Sequence, residues 1–290
     1  MMDSIRNRVN LFTGMELSTF LYLVVSTIAL MINFDSLNIG YQIIFPLAHL
    51  LIVYYLYFVP VFRGLDNWYG FIANWYPLIL ILFFYSELGV INLASGEIYD
   101  VYLQSAEEYI FGGQVSMLWV RNWPDPVLSW FLNISYAMYY FMVVGAPMLV
   151  SHKVGYRQGQ HILLMIIITF YISYSIFLIV PTAGPLYLFP PVDNSATQTL
   201  AAKLVSLILT LGDAWGSAFP SCHVAVTIVL TFGAMLYSRR IGLFLLPFML
   251  MLILATVYGQ IHYAVDVLGG IVLAFVVLMF RNRLKKYVPE

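Results

Sequence analysis

Charge is what this chain has least of. Only 9% of its 290 residues are Asp, Glu, Lys or Arg, against roughly 25% in a soluble domain, so water is not its main solvent. Acids and bases almost cancel, and a formal net charge of −1 gives no basis for binding nucleic acid. The single cysteine, Cys222, excludes an internal disulfide and leaves the redox compartment open. Internal repeats and low-complexity tracts are absent, which favours one integral domain. A cleaved signal peptide is not expected either. Residues 1–16 are polar, and the apolar run after them is long enough to span a bilayer and is followed by others.

What the chain has is apolar surface, 62% hydrophobic and 17% aromatic residues. These come in long runs, not in amphipathic stripes, and a helix needs about 20 apolar residues to cross the hydrocarbon core. Eight runs qualify, near 17–34, 41–62, 70–95, 127–150, 161–180, 221–238, 241–258 and 263–281. The expected fold is an all-α integral membrane protein with about eight transmembrane helices. Irregular backbone cannot face lipid, so 96–126 and the Pro/Gly-rich stretch 181–192 should lie outside the core or line a protected cavity.

The cations sort cleanly on this map. One side collects Arg6, Arg8, Arg63, Lys153, Arg157, Arg239, Arg240, Arg281, Arg283, Lys285 and Lys286, and the other only Arg121 and Lys203. The positive-inside rule then puts both termini in the cytoplasm. Residues 181–220 and 259–265 fall together on the outer side, where His223 begins the sixth span and His262 the eighth.

His262 and Asp266 are four apart and share a helix face. A carboxylate there can fix the imidazole tautomer and leave the other nitrogen basic, suited to act as nucleophile or base. A polar pair satisfying itself at a helix end is the plainer alternative. In Ala218-Phe219-Pro220-Ser221-Cys222-His223, Pro220 suits the first turn of a helix starting near Ser221. The N–H groups of Ser221, Cys222 and His223 would then be free to receive an anion. Ser221 would add a hydroxyl, and His223 would give a proton to a leaving alcohol. Alternatively Ser221 is an ordinary cap and His223 a lipid-interface residue. Zinc would compete for two histidines and an aspartate, but only Cys222 offers a fourth donor, and it points elsewhere on the helix. No metal and no cofactor are expected.

Phe219-Pro220-Ser221-Cys222-His223, followed by His262-Tyr263-x-x-Asp266, resembles the second and third signature motifs of the type 2 phosphatidic acid phosphatase superfamily. Val180-Pro181-Thr182-Ala183-Gly184-Pro185 resembles the first-motif region of the branch that contains inositol phosphorylceramide synthases and related phosphotransferases. Glu107-Glu108-x-Ile110-Phe111-Gly112 with Trp119, and the aromatic run Tyr136 to Phe141, are similar in layout to that branch. The resemblance covers roughly residues 105–275. It implies a six-helix catalytic core, residues 70–290 with the outer segment 96–126, preceded by an extra helix pair within 1–69.

It also implies metal-independent phosphoryl transfer through a phosphohistidine at the outer face. His262 would attack phosphorus, Asp266 would orient it, and His223 would protonate the leaving group. Ser221, Cys222, Pro181, Thr182, Tyr187 and Gln260 are the candidate substrate-binding residues. The partners are a lipid phosphate, water or an alcohol acceptor, and the bilayer itself; nothing in the sequence fixes an oligomeric state.

The chain departs from the superfamily pattern in its cations. The first-motif region has no Lys or Arg, and the position six before His262, an arginine in the phosphatases, is Thr256. Arginines there clamp phosphate oxygens. A site without them suits a singly charged diester better than a monoester, unless Arg121 or Lys203 folds over it.

Glu87, toward the outer end of the third span, and His49, inside the second, are either bundle hydrogen-bonding residues or the pathway of a transporter, the rival function class. His152 and His161 flank a cytoplasmic loop, away from His223. The outer segment 96–126 mixes acids with aromatics, as an amphipathic helix on the leaflet would. It serves either as a lid or as simple packing.

Overall fold

The computed structural model describes residues 13–288, so Arg6 and Arg8 lie outside the described region. Fourteen α-helices follow one another there. They are α1 Gly14–Ile32, α2 Ile39–Arg63, α3 Trp68–Trp75, α4 Pro77–Ser95, α5 Asp100–Phe111, α6 Val115–Asn122 and α7 Pro126–Lys153, then α8 Tyr156–Ile179, α9 Pro185–Leu188, α10 Leu200–Gly212, α11 Cys222–Tyr237, α12 Arg239–Tyr258, α13 Ala264–Met279 and α14 Arg281–Leu284.

Local chemistry starts these helices where they start. Thr13 and Glu16 form a reciprocal capping box on α1, and the Asp125 carboxylate accepts from the N–H groups of Val127 and Leu128 ahead of Pro126 at N1. Ser221 and Ser238 cap α11 and α12 in the same way.

Six helices are long and apolar enough to cross a membrane: α1, α2, α4, α7, α8 and α12. A seventh crossing is obtained if α13 and Arg281–Tyr287, bent by 51°, count as one. Helix α11 is apolar but has only 16 residues, about 24 Å at 1.5 Å per residue. The chain is thus a multi-pass membrane protein, and length and composition give six or seven crossings where eight were expected. A helix occupies each of the eight expected stretches, with one correction. The stretch 70–95 is broken in two, because α4 begins afresh at Pro77, whose ring leaves no N–H to continue α3.

Helix α8 is the centre of the bundle. Residues 162 to 167 are all fully buried, and α8 packs against α1, α4, α7, α11 and α13. Helix α1 is fastened to it by Tyr22, which stacks on Tyr171 at 4.9 Å between centroids, and by a 3.2 Å hydrogen bond between Thr19 and Tyr171.

Contacts sort the helix ends into two groups. At one end the start of α1 meets the end of α2 through Glu16 and Arg63, and His161 at the start of α8 bonds Tyr237 of α11 and the Arg281 carbonyl. The starts of α11 and α13, which carry the two candidate histidine motifs, are at the opposite end.

Candidate active site

His223 and His262 meet. Nδ1 of His223 is 3.5 Å from Nε2 of His262, and Nδ1 of His262 is 3.4 Å from Oδ2 of Asp266. Both distances are longer than an ordinary hydrogen bond. Asp266 is fully buried and His262 nearly so. The Tyr136 hydroxyl lies 3.1 Å from Nε2 of His223, and the Tyr139 ring packs 4.7 Å from the imidazole. Tyr136 was visible in the sequence only as part of an aromatic run.

His262 sits in a tight turn between α12 and α13. Its N–H and that of Ile261 both reach the carbonyl of Thr256 at 2.9 Å. The Thr256 side chain is fully buried and bonds the Ile253 carbonyl within its own helix, so the site gains no polar group where a phosphatase carries arginine. Gln260 adopts φ of 56°, the one described non-glycine residue at positive φ, a conformation that surrounding contacts must hold in place. Its amide donates to the carbonyls of Pro185 and Pro190, and its oxygen accepts from Arg121 Nη1 at 2.6 Å. Arg121 also bonds the carbonyls of Met117 and Pro190, and has no carboxylate partner among the described residues.

The second motif differs from expectation in two respects. Pro220 lies outside the helix and Ser221 is its N-cap, with the Ser221 hydroxyl accepting from Val224 N–H. The Ser221 N–H is not free for an anion, because it donates to the Asp266 carbonyl at 2.9 Å. That bond ties the second motif directly to the third. Cys222 is buried in the hydrophobic core.

The first-motif region is stitched to the second. Thr182 makes a parallel bridge to Ser217, exchanges backbone bonds with Gly216 and Ala218, and accepts the Phe219 N–H on its hydroxyl at 2.8 Å. Pro181 is buried and its carbonyl takes the Tyr99 N–H. The polar groups of both residues are thus used within the fold.

Helix α5 holds this assembly from outside. Asp100, Gln104 and Glu107, spaced four and three apart, share a face. Asp100 accepts from the N–H groups of Ala183 and Gly184 at 2.8 and 2.7 Å, and from the Tyr263 hydroxyl. Gln104 donates to the same hydroxyl, and Glu107 accepts from Ala264 N–H at 3.1 Å and Ser116 N–H at 3.2 Å. Burial pushes the Glu107 carboxyl above its usual range, while these donors pull it back. The opposite face, Val101, Tyr102, Tyr109 and Ile110, is exposed. The segment is therefore amphipathic with its polar face toward the protein.

A cavity of about 760 Å³ opens beside the motif turn, lined in part by Tyr187, Lys203, Asp213, Tyr258, Gln260 and Ile261. Tyr187 donates to Asp213 at 2.9 Å, and burial together with that carboxylate keeps its hydroxyl protonated. Helix α10, not expected from the sequence, forms one wall. Ala202, Lys203, Ser206 and Thr210 face the cavity, while Leu200, Leu204, Leu207 and Leu211 are exposed on the outside.

Glu87 and His49 belong to a different place. Glu87 pairs with His49 at 2.7 Å and accepts from Ser26, while His49 bonds Thr27, so the group closes on itself among α1, α2 and α4. Among the described residues no group of three His, Cys, Asp or Glu side chains is placed to hold a metal ion.

A family profile described as PAP2 superfamily matches residues 110–280, a stretch containing His223, His262, Asp266 and Arg121. No curated protein and no solved structure matches the chain. With more than half of its length matched, and the two histidine motifs inside the match, the chain belongs to the PAP2 (type 2 phosphatidic acid phosphatase) superfamily.

Proposed function

We propose that this protein is a metal-independent phosphotransferase that moves a phosphorylated head group between membrane lipids or alcohols. The observation that carries the reading is the facing pair, His262 Nε2 opposite His223 Nδ1 at 3.5 Å, with Asp266 behind His262. PAP2 membership fits a phosphatase or a phosphotransferase equally.

In the first half-reaction substrate displaces the direct contact between the imidazoles. The Nε2 lone pair of His262 bonds to phosphorus, the P–O bond to the departing alcohol breaks, and His223 gives that oxygen the proton on its Nδ1. Asp266 holds the Nδ1–H of His262, so the positive charge that develops on the ring is met by a buried carboxylate. In the second half-reaction the acceptor hydroxyl returns its proton to His223, its oxygen bonds to phosphorus, and the P–N bond breaks. Arg121, held at Gln260, supplies positive charge that the first motif and Thr256 lack.

The charge count favours a diester. Lys203 and Asp213 on the cavity wall offset each other, and Arg121 remains. One net positive charge matches the single negative charge of a phosphodiester better than a nearly dianionic monoester. The excess of cations at the end that holds Arg63, Lys153, Arg157, Arg239 and Arg240 supports a reading in which the histidine end faces away from the cytoplasm.

The test is incubation of purified protein with a panel of phospholipids, with and without alcohol acceptors, followed by mass analysis. Transfer predicts a new phosphorylated product that appears only with acceptor. Release of inorganic phosphate regardless of acceptor would make the protein a phosphatase. Undiminished turnover by His262→Ala would sink the phosphohistidine mechanism altogether.

A further inference from the structure

The end of the bundle opposite His262 has a feature that phosphoryl transfer does not use. A groove of about 440 Å³ runs between α1 and α8, with Leu17, Leu21, Leu164, Ile168 and Ile172 in its walls and Leu284 and Tyr287 at its end. Three of the hydroxyls in the wall are already satisfied: Ser18 donates to the Met15 carbonyl, Ser175 donates to the Tyr171 carbonyl, and Tyr171 bonds Thr19, while the Tyr22 hydroxyl is buried without a partner among the described residues. The groove therefore offers an occupant mainly dispersion and apolar contact.

The groove ends under a cluster of cations. After α13 the chain bends by 51°, and residues 281–287 turn aside from the bundle axis. Gly14 allows this segment to close over the groove, since a Cβ on Gly14 would sit 2.9 Å from a Leu164 methyl and 3.0 Å from the Tyr287 Cβ. Arg283 and Lys285 flank Leu284 in the chain, and Lys286 precedes Tyr287; all three are exposed. None of them pairs with a carboxylate among the described residues. The one acid at this end of α1, Glu16, is buried and taken by Arg63, Thr13 and Tyr76.

We propose that this end carries a binding site for an anionic phospholipid, its acyl chain in the α1–α8 groove and its head group among Arg283, Lys285 and Lys286. A slot with mainly apolar walls accepts a hydrocarbon chain. Basic side chains near its mouth, with no carboxylate partner among the described residues, select a negative head group, as basic juxtamembrane clusters do. A zwitterionic lipid would gain the groove but not the charge, and a free anion the charge but not the groove. The site does not depend on the reaction proposed for His262.

Native mass spectrometry of the protein tests this, in a His262→Ala background so that turnover cannot deplete lipid. The probes are phosphatidylglycerol, phosphatidylcholine and inorganic phosphate. Phosphatidylglycerol should be retained over phosphatidylcholine by a factor on the order of tenfold or more, given three basic side chains. The Arg283→Gln, Lys285→Gln, Lys286→Gln triple variant should lose that preference while keeping its unfolding temperature, because all three side chains are exposed. Leu21→Trp, also at an exposed position, narrows the groove and should weaken retention of both lipids. Equal retention of the two lipids, or a preference that survives in the triple variant, would overturn the proposal. So would unchanged retention in Leu21→Trp, or displacement of the lipid by inorganic phosphate alone.

Discussion

The Tyr136 hydroxyl bonds Nε2 of His223 at 3.1 Å and leaves Nδ1 of the same ring facing His262. In the proposed mechanism, once His223 has given up its Nδ1 proton, the useful neutral tautomer keeps hydrogen on Nε2 and a free lone pair on Nδ1. A hydroxyl accepting from Nε2–H stabilises that tautomer, and does so without adding a second buried negative charge. Within that proposed mechanism Tyr136 is thereby a positioning residue for His223, as Asp266 is for His262.

Tyr136→Phe should lower kcat by roughly 10- to 100-fold, the effect of a lost hydrogen bond of about 1.5–3 kcal/mol to a group that becomes charged. KM should change little. The ¹⁵N shifts of labelled His223 should show a move away from the Nε2–H tautomer. Unchanged shifts with a lower unfolding temperature would reduce Tyr136 to packing.

Substitutions at the two histidines separate their roles. His262→Ala should abolish both turnover and phosphate trapping. His223→Ala should slow turnover of ordinary lipids by about 10²–10⁴-fold, the usual range for general acid–base catalysis. It should recover with a substrate whose leaving group is a nitrophenolate, which departs without a proton. Failure of that recovery would remove His223 from the acid role.

Arg121 is tested by charge. Arg121→Gln should lower kcat/KM by about 10- to 100-fold, the loss of one charge-assisted contact. Arg121→Lys should restore part of it, since a point charge replaces the planar fork imperfectly. Neutralising Lys203, which is opposed by Asp213 on the same wall, should cost less. Equal effects at Arg121 and Lys203 would contradict the assignment.

Glu107 gives a pH signature. Its carboxyl is raised by burial, so the folded state holds the proton to higher pH than the unfolded chain. The penalty of ionising it is absent below the ordinary carboxylate range and fully present above its raised value. Stability relative to Glu107→Gln should therefore fall as pH rises through that window. Thermal unfolding of both proteins across pH 4 to 8 (roughly the window around and above ordinary carboxylate titration) reads this directly, and a constant difference would refute it.

The sequence displayed the helices and the histidine motifs because both are local. Long apolar runs need no partner to be read, and His262 with Asp266 is a four-residue spacing. What stayed hidden depends on the fold closing over itself. Asp100 reads as one more outer-side acid, although its spacing to Gln104 and Glu107 was the available sign of an inward polar face. The Ser221 N–H looked free because its acceptor, the Asp266 carbonyl, is 45 residues away. Helix α10 escaped because its 13 residues, half of them polar or small, are too short for a spanning pattern. Arg121 and Lys203 were equal candidates in the sequence, and the bond to Gln260 distinguishes them.

The shortness of α11 has a consequence for where the chemistry happens. A helix of about 24 Å falls short of a hydrocarbon core of about 30 Å. His223, at its first turn, is then either sunk beneath the interface or surrounded by a locally thinned bilayer. If α11 crosses the membrane and the proposed function holds, a phospholipid reaches the imidazole in both cases by moving sideways and dipping, with its tails still among its neighbours. On that reading the thickness of the surrounding membrane, set by the chain length of lipids that are never consumed, becomes a determinant of rate.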